Sequence, residues 1–198
     1  MRPSTAVGLI ALLAVAACGR EEQAGKTDAP AASSAASAPA TPNGPVGQTY
    51  DPALEAAGYY RPVKALRIGD YRLDHIAIGA PSDFAAWEKG QRDGLFGPIM
   101  LVFDDVTSPR ETNELGLQVH EIRVRVTPQA YRLDPGHIAF KGVDAKLGAV
   151  VFEGRFDRAA FAEAMKSGSS GDKAVVVGDL TVGHATLRGE RFTYWAGD

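Results

Sequence analysis

Only one cysteine, Cys18, occurs in the 198 residues, so no disulfide can form within the chain and the fold has to hold through its core alone. Neither sign of charge dominates: 21 Lys and Arg stand against 24 Asp and Glu, a net charge of −3. No basic stripe or Lys/Arg run is present, which excludes a nucleic-acid partner and an anionic lipid surface bound through such a patch. The apolar run from Ala6 to Ala17 falls well short of the roughly 20 residues that cross a bilayer as a helix. The four histidines, His75, His120, His137 and His184, are scattered without an HxH or HxxxH pair, which leaves zinc without support. No G-x-S-x-G elbow, G-x-G-x-x-G turn or Walker loop occurs, so no enzymatic activity and no cofactor is expected.

What the N-terminus does contain is ordered. Arg2 precedes the apolar run, small residues follow it, and Cys18 comes next in "LLAVAACGREEQ", the layout of a secretory signal peptide. Val15, Ala16, Ala17 and Cys18 resemble the lipobox of bacterial lipoproteins. The resemblance implies diacylglycerol on Cys18, cleavage ahead of it and acylation of the new amino terminus. Two or more acyl chains hold a protein on a membrane durably, since each buried methylene contributes about 0.8 kcal/mol. In that family an Asp after the Cys retains the protein at the inner membrane. Gly19 stands there instead, so the resemblance points to the outer membrane, with the domain facing the periplasm.

Residues 1–17 therefore read as signal peptide and residues 18–47 as a tether. The tether, "GREEQAGKTDAPAASSAASAPATPNGPVG" after the cysteine, is too poor in large apolar residues to offset chain entropy and is expected to be disordered. Residues 48–198 are of ordinary size for one domain. Their pattern predicts an α+β fold, mainly antiparallel β-sheet in a sandwich or partly closed barrel, with two or three short helices.

Three segments carry helix signals. "DPALEAAG" has Asp51 as cap, Pro52 at the first helical position and Gly58 as stop. "PSDFAAWEKG" places Phe84 and Trp87 on one face, with Ser82 or Asp83 as cap. "DRAAFAEAMKSG" is capped by Asp157, with Phe156 positioned to staple onto Phe161. Strands are expected at "VKALRIG", "YRLDHIAIG", "GPIMLVFDD", "VHEIRVRVT", on both sides of the Asp134-Pro135-Gly136 turn, at "GAVVFEGRF", and twice or more after Lys173. In "VHEIRVRVT" the alternation puts Ile122, Val124 and Val126 on one face. The words "YRLDHIAIG" and "YRLDPGHIAFKG" echo one another, too short a repeat to make a solenoid.

Polar clusters were weighed for chemistry. "DDVTSPRETNELG" gathers Asp104, Asp105, Glu111, Asn113 and Glu114 in one segment. Oxygen ligands suit calcium, but the spacing is not an EF-hand. Ser108 as cap, Pro109 at the first helical position, Glu111 completing a capping box and Gly116 as stop predict a short helix instead. His120, in phase with Val124, reads as a partly buried structural histidine. Asp74 and His75 would point to opposite faces of a strand. "SGSSGD" follows a helix and reads as a connector. Arg123 and Arg125 are the candidate anion- or partner-binding surface, set against a plain solvated salt-laced face beside Glu121.

From Val175, "VVVGDLTVGHAT" resembles the G-x-L-T-x-x-G-x-T hairpin of the YceI family, periplasmic lipocalin-like barrels that bind an isoprenoid lipid. That resemblance implies antiparallel β architecture and, as an alternative to an envelope interaction module, a carrier for a small apolar ligand. A carrier needs a cavity lined by residues such as Val102, Phe140 and Val151, whereas an interaction module packs these solidly.

Overall fold

Alternating apolar and polar residues fold as strands with one dry and one wet face, and strands are the main element of the described residues. A computed structural model describes residues 44–92 and 96–197; Cys18, the lipobox and most of the tether lie outside these. In chain order the elements are β1 (Gln48–Tyr50), β2 (Gly58–Pro62), β3 (Leu66–Ile68), β4 (Tyr71–Ile78), α1 (Pro81–Glu88), β5 (Ile99–Asp105), β6 (Arg110–Thr112), β7 (Gln118–His120) and β8 (Arg123–Val126). There follow β9 (Ala130–Asp134), β10 (His137–Asp144), β11 (Gly148–Phe156), α2 (Arg158–Ser167), β12 (Val176–Val182) and β13 (Ala185–Trp195). Among the described residues no helix is long and apolar enough to cross a membrane.

The main sheet runs β1-β9-β10-β11-β12-β13-β2-β4-β5-β8, with β3 alongside β4. Every pairing in it is antiparallel except that of β1 with β9. The sheet curls into a partly closed barrel, as the α+β reading expects. At one corner the β8 end comes against β10: β8 passes into β9 through three residues, and the Gln129 amide donates to the Lys141 carbonyl at 2.8 Å. Gly142 of β10 makes this approach possible, because a β-carbon there would lie 2.6 Å from the Thr127 carbonyl and 2.8 Å from Val126 Cγ1, closer than side chains tolerate.

Inward residues of every long strand fill the barrel. Tyr60, Tyr131, Phe140, Phe152 and Phe192 are wholly buried, and Phe103, Leu101, Leu133, Val150 and Leu180 lie among them. Phe152 and Phe192 meet edge to face with centroids 5.2 Å apart. α2 adds Phe161, packed 4.8 Å from Phe156 as the staple predicts. Its start is capped by Asp157, whose carboxylate accepts from the Ala160 amide at 3.0 Å, and Gly168 closes it with φ 74°. α1 buries Phe84, stacked 3.9 Å from Tyr50. Its cap position is Ala80, not Ser82 or Asp83; Asp83 sits one turn in and accepts from the Ala80 amide at 2.8 Å.

Two predicted helices do not form. Residues 51–57 make a turn between β1 and β2. The Asp51 amide bonds to the Leu133 carbonyl, and the carbonyls of Ala56 and Ala57 accept the hydroxyls of Tyr60 and Tyr194, each at 2.8 Å. Tertiary hydrogen bonds thus take the groups a helix would have used. Gly58 serves close packing there, a β-carbon falling 2.6 Å from the Tyr194 ring.

The segment from Ser108 to Gly116 opens a hairpin instead of a helix, β6 pairing with β7 through Arg110–His120, Glu111–Val119 and Thr112–Gln118. The Asn113 side chain accepts from the amides of Leu115 and Leu117 at 3.0 and 2.9 Å, and this Asx-type turn wins over the capping box. The Ser108 hydroxyl donates to the Asp105 carbonyl at 2.7 Å and accepts from the Ile122 amide at 3.3 Å. "VHEIRVRVT" is consequently split between two sheets. His120 is buried on β7 and Val124 and Val126 on β8, while Ile122 in the break is 40% exposed. The echoed words diverge too: the first is one strand, the second a hairpin.

Candidate functional site

The barrel's outer face carries the site. Across β2, β4 and β5, Tyr59, Ala77 and Met100 are direct register partners, and across β4, β5 and β8 so are His75, Val102 and Arg125. These outward side chains floor a groove of about 970 Å³. Asp83, Ala86 and Trp87 of α1 also line it, with Gln91, Arg92 and Phe96 beyond them and Arg123 beside Arg125 on β8. The volume is at the upper end of small-molecule sites, which run about 300 to 1,000 Å³. Tyr59 is steadied between His75, edge to face at 5.2 Å, and Trp195 at 5.4 Å.

Asp74 and His75 do not point to opposite faces. A register shift between Leu73 and His75 marks a β-bulge in β4, which sets two consecutive side chains outward. Asp74 Oδ2 lies 2.8 Å from His75 Nδ1, and this hydrogen bond holds the Asp74 carboxyl below the usual carboxylate range. The spacing carried the signal: Leu73 and Ile76 are three apart and Ile76 and Ile78 two apart, and a flat strand cannot bury all three on one face.

Beside this pair lies an arginine–aspartate lattice. Asp104 is buried, its Oδ2 bonded to Arg72 Nη2 at 2.7 Å and its Oδ1 3.2 Å from Arg123 Nε. The second contact is an ion pair by distance without hydrogen-bond alignment. Arg123 Nη2 also lies 3.7 Å from Asp74 Oδ2. A buried carboxylate requires such compensation, so Asp104 is structural and not available as a calcium ligand. Among the described residues no cluster of His, Cys, Asp and Glu is close enough to hold a metal. Asp105 is turned to its own loop, accepting from the Thr107 amide and hydroxyl.

Of the two candidate arginines, Arg123 is held by acids from neighbouring strands, not by Glu121. Arg125 is exposed at the groove and makes no ion pair among the described residues. Val102, Phe140 and Val151 share no cavity. Val102 faces the groove, Phe140 the packed interior, and Val151 the side where Gly44 lies against it, a β-carbon there falling 3.0 Å from Val151 Cγ1. Chemically, the groove offers an oriented imidazole, guanidinium groups and an apolar floor, and no Ser, Thr, Cys or Lys among the described residues that line it. Comparison of the chain with protein-family models, curated proteins and solved structures found no match.

Proposed function

We propose that the chain is a bacterial lipoprotein, held on the outer membrane through acylated Cys18 and facing the periplasm, whose domain is a non-enzymatic binding module of the cell envelope. The anchor reading rests on the order Val15-Ala16-Ala17-Cys18. The binding reading rests on one contrast: the barrel interior is filled by side chains, while the groove of about 970 Å³ lies on the outer face. An oriented histidine alone does not make a hydrolase, and the groove supplies it no hydroxyl or thiol nucleophile of Ser, Thr or Cys type. A lipocalin-like carrier, the alternative, needs interior room, and the residues meant to line it are dispersed.

Native mass spectrometry of residues 18–198 carrying Cys18→Ser, exported behind an ordinary cleavable secretory signal in place of residues 1–17, separates the two. The bare chain mass is expected, since an open groove exchanges its ligand during purification. A stoichiometric lipid-sized adduct that persists through extensive washing would favour the carrier.

A further inference from the structure

The groove's charge runs against that of the chain. Among the described residues that line it, Arg92, Arg123 and Arg125 stand against one acid, Asp83, in a protein whose net charge is −3. Asp83 is turned to the start of α1, accepting from the Ala80 amide. Arg123 is anchored by Asp104 and Asp74, and Arg92 lies over the Trp87 ring at 4.7 Å. Arg125 alone is exposed with no ion pair among the described residues, and its direct register partner is Val102 on the apolar floor. One open guanidinium therefore stands at the end of an apolar strip formed by Val102, Met100 and Tyr59. Trp87 also lines the groove, and its buried indole N–H lacks a hydrogen-bond partner among the described residues.

Resting on the groove as the binding surface, we infer that its ligand is a monomeric single-chain anionic amphiphile. Its carboxylate or phosphate monoester pairs with Arg125, and its apolar body lies on Val102, Met100 and Tyr59. A guanidinium binds either head through parallel hydrogen bonds. A cationic head would meet three guanidinium groups, and a neutral molecule would cover Arg125 while leaving it unpaired, which costs affinity.

Both tryptophans of the chain report on this site: Trp87 lines the groove and Trp195 packs on Tyr59, which also lines it. The experiment is a tryptophan-fluorescence titration of residues 18–198 carrying Cys18→Ser. The titrants are decanoate, decyl phosphate, decanol and decyltrimethylammonium, each below its micellar concentration, and separately phosphatidylglycerol vesicles. Saturable binding is expected for the two anions, at least about tenfold weaker binding for decanol, the ratio expected from hydrogen bonds to a charged group, and none for the cation. Arg125→Gln, at an exposed side chain, is expected to weaken decanoate at least about tenfold, to leave decanol binding no weaker and to leave the melting temperature unchanged. Arg110→Gln on β6 changes nothing.

If decanol or the cation binds as tightly as decanoate, or Arg125→Gln leaves decanoate untouched, the anionic-head assignment is wrong; the groove itself stands so long as Met100→Glu still abolishes binding. If Met100→Glu is silent as well, ligand binds elsewhere and both readings fall. A response confined to vesicles overturns the monomeric ligand.

Discussion

Replacing Cys18 with Ser is expected to abolish incorporation of a palmitate analogue and leave the precursor uncleaved. The effect is all or none because the chain offers no second thiol, so no other residue can carry the thioether-linked lipid. Anchoring by acyl chains scales at about 0.8 kcal/mol per buried methylene, and no described helix can replace that hold by spanning the bilayer. The measurement is metabolic labelling, with precursor and processed chain separated by size. Wild-type labelling and processing in the Cys18→Ser chain would mean that Val15-Ala16-Ala17-Cys18 is not a lipobox.

Phe152→Ala is expected to destabilise the fold by about 3 to 5 kcal/mol, the range for removing a large aromatic side chain from a packed core. Phe152 is wholly buried, packs edge to face on Phe192, and its ring lies where β-carbons at Gly154 and Gly178 would fall within 2.9 Å of it. Nothing around it can move far enough to fill the space. In a barrel that holds ligand in its interior, the same truncation would enlarge an existing cavity and cost only the transfer loss, about 1.5 to 3 kcal/mol, because no new void would be added to it. Urea denaturation of the two chains gives the difference directly. A loss below about 2 kcal/mol would count against solid packing.

Much of this fold is written in local pattern. β5, β10 and β11 follow from apolar runs and alternation bounded by turn residues, and α2 from a cap, a staple and a glycine stop that agree with one another. The failures share a cause, which is competition from partners distant in sequence or from turn chemistry. Asp51, Pro52 and Gly58 carry helix signals, but Tyr194 and Leu133, far along the chain, claim the segment's backbone. Ser108 and Glu111 spell a capping box, but Asn113 folds the chain back two residues later.

The groove was legible only in part. Arg125 stood out in the sequence as a charged residue on a strand, yet its setting depends on register. Tyr59, Ala77 and Met100 come from three strands, and only pairing places them in one row. The Asp74–His75 pair required the bulge, whose mark was a change of apolar spacing inside a single strand. Even so, Cys18 and the arginines were the residues that chemistry, and not packing, distinguished from the start.

Whether ligand sits on the outer face or inside the barrel is read residue by residue by chemical-shift mapping of decanoate on the isotope-labelled mature chain carrying Cys18→Ser. Saturable shifts are expected at Ala77, Met100, Val102 and Arg125, which line or border the groove, with the methyls of Ile138, Val150 and Leu180 in the core unmoved. Shifts confined to those core methyls, with Met100 and Val102 silent, would place the ligand in the interior and contradict a groove-binding module.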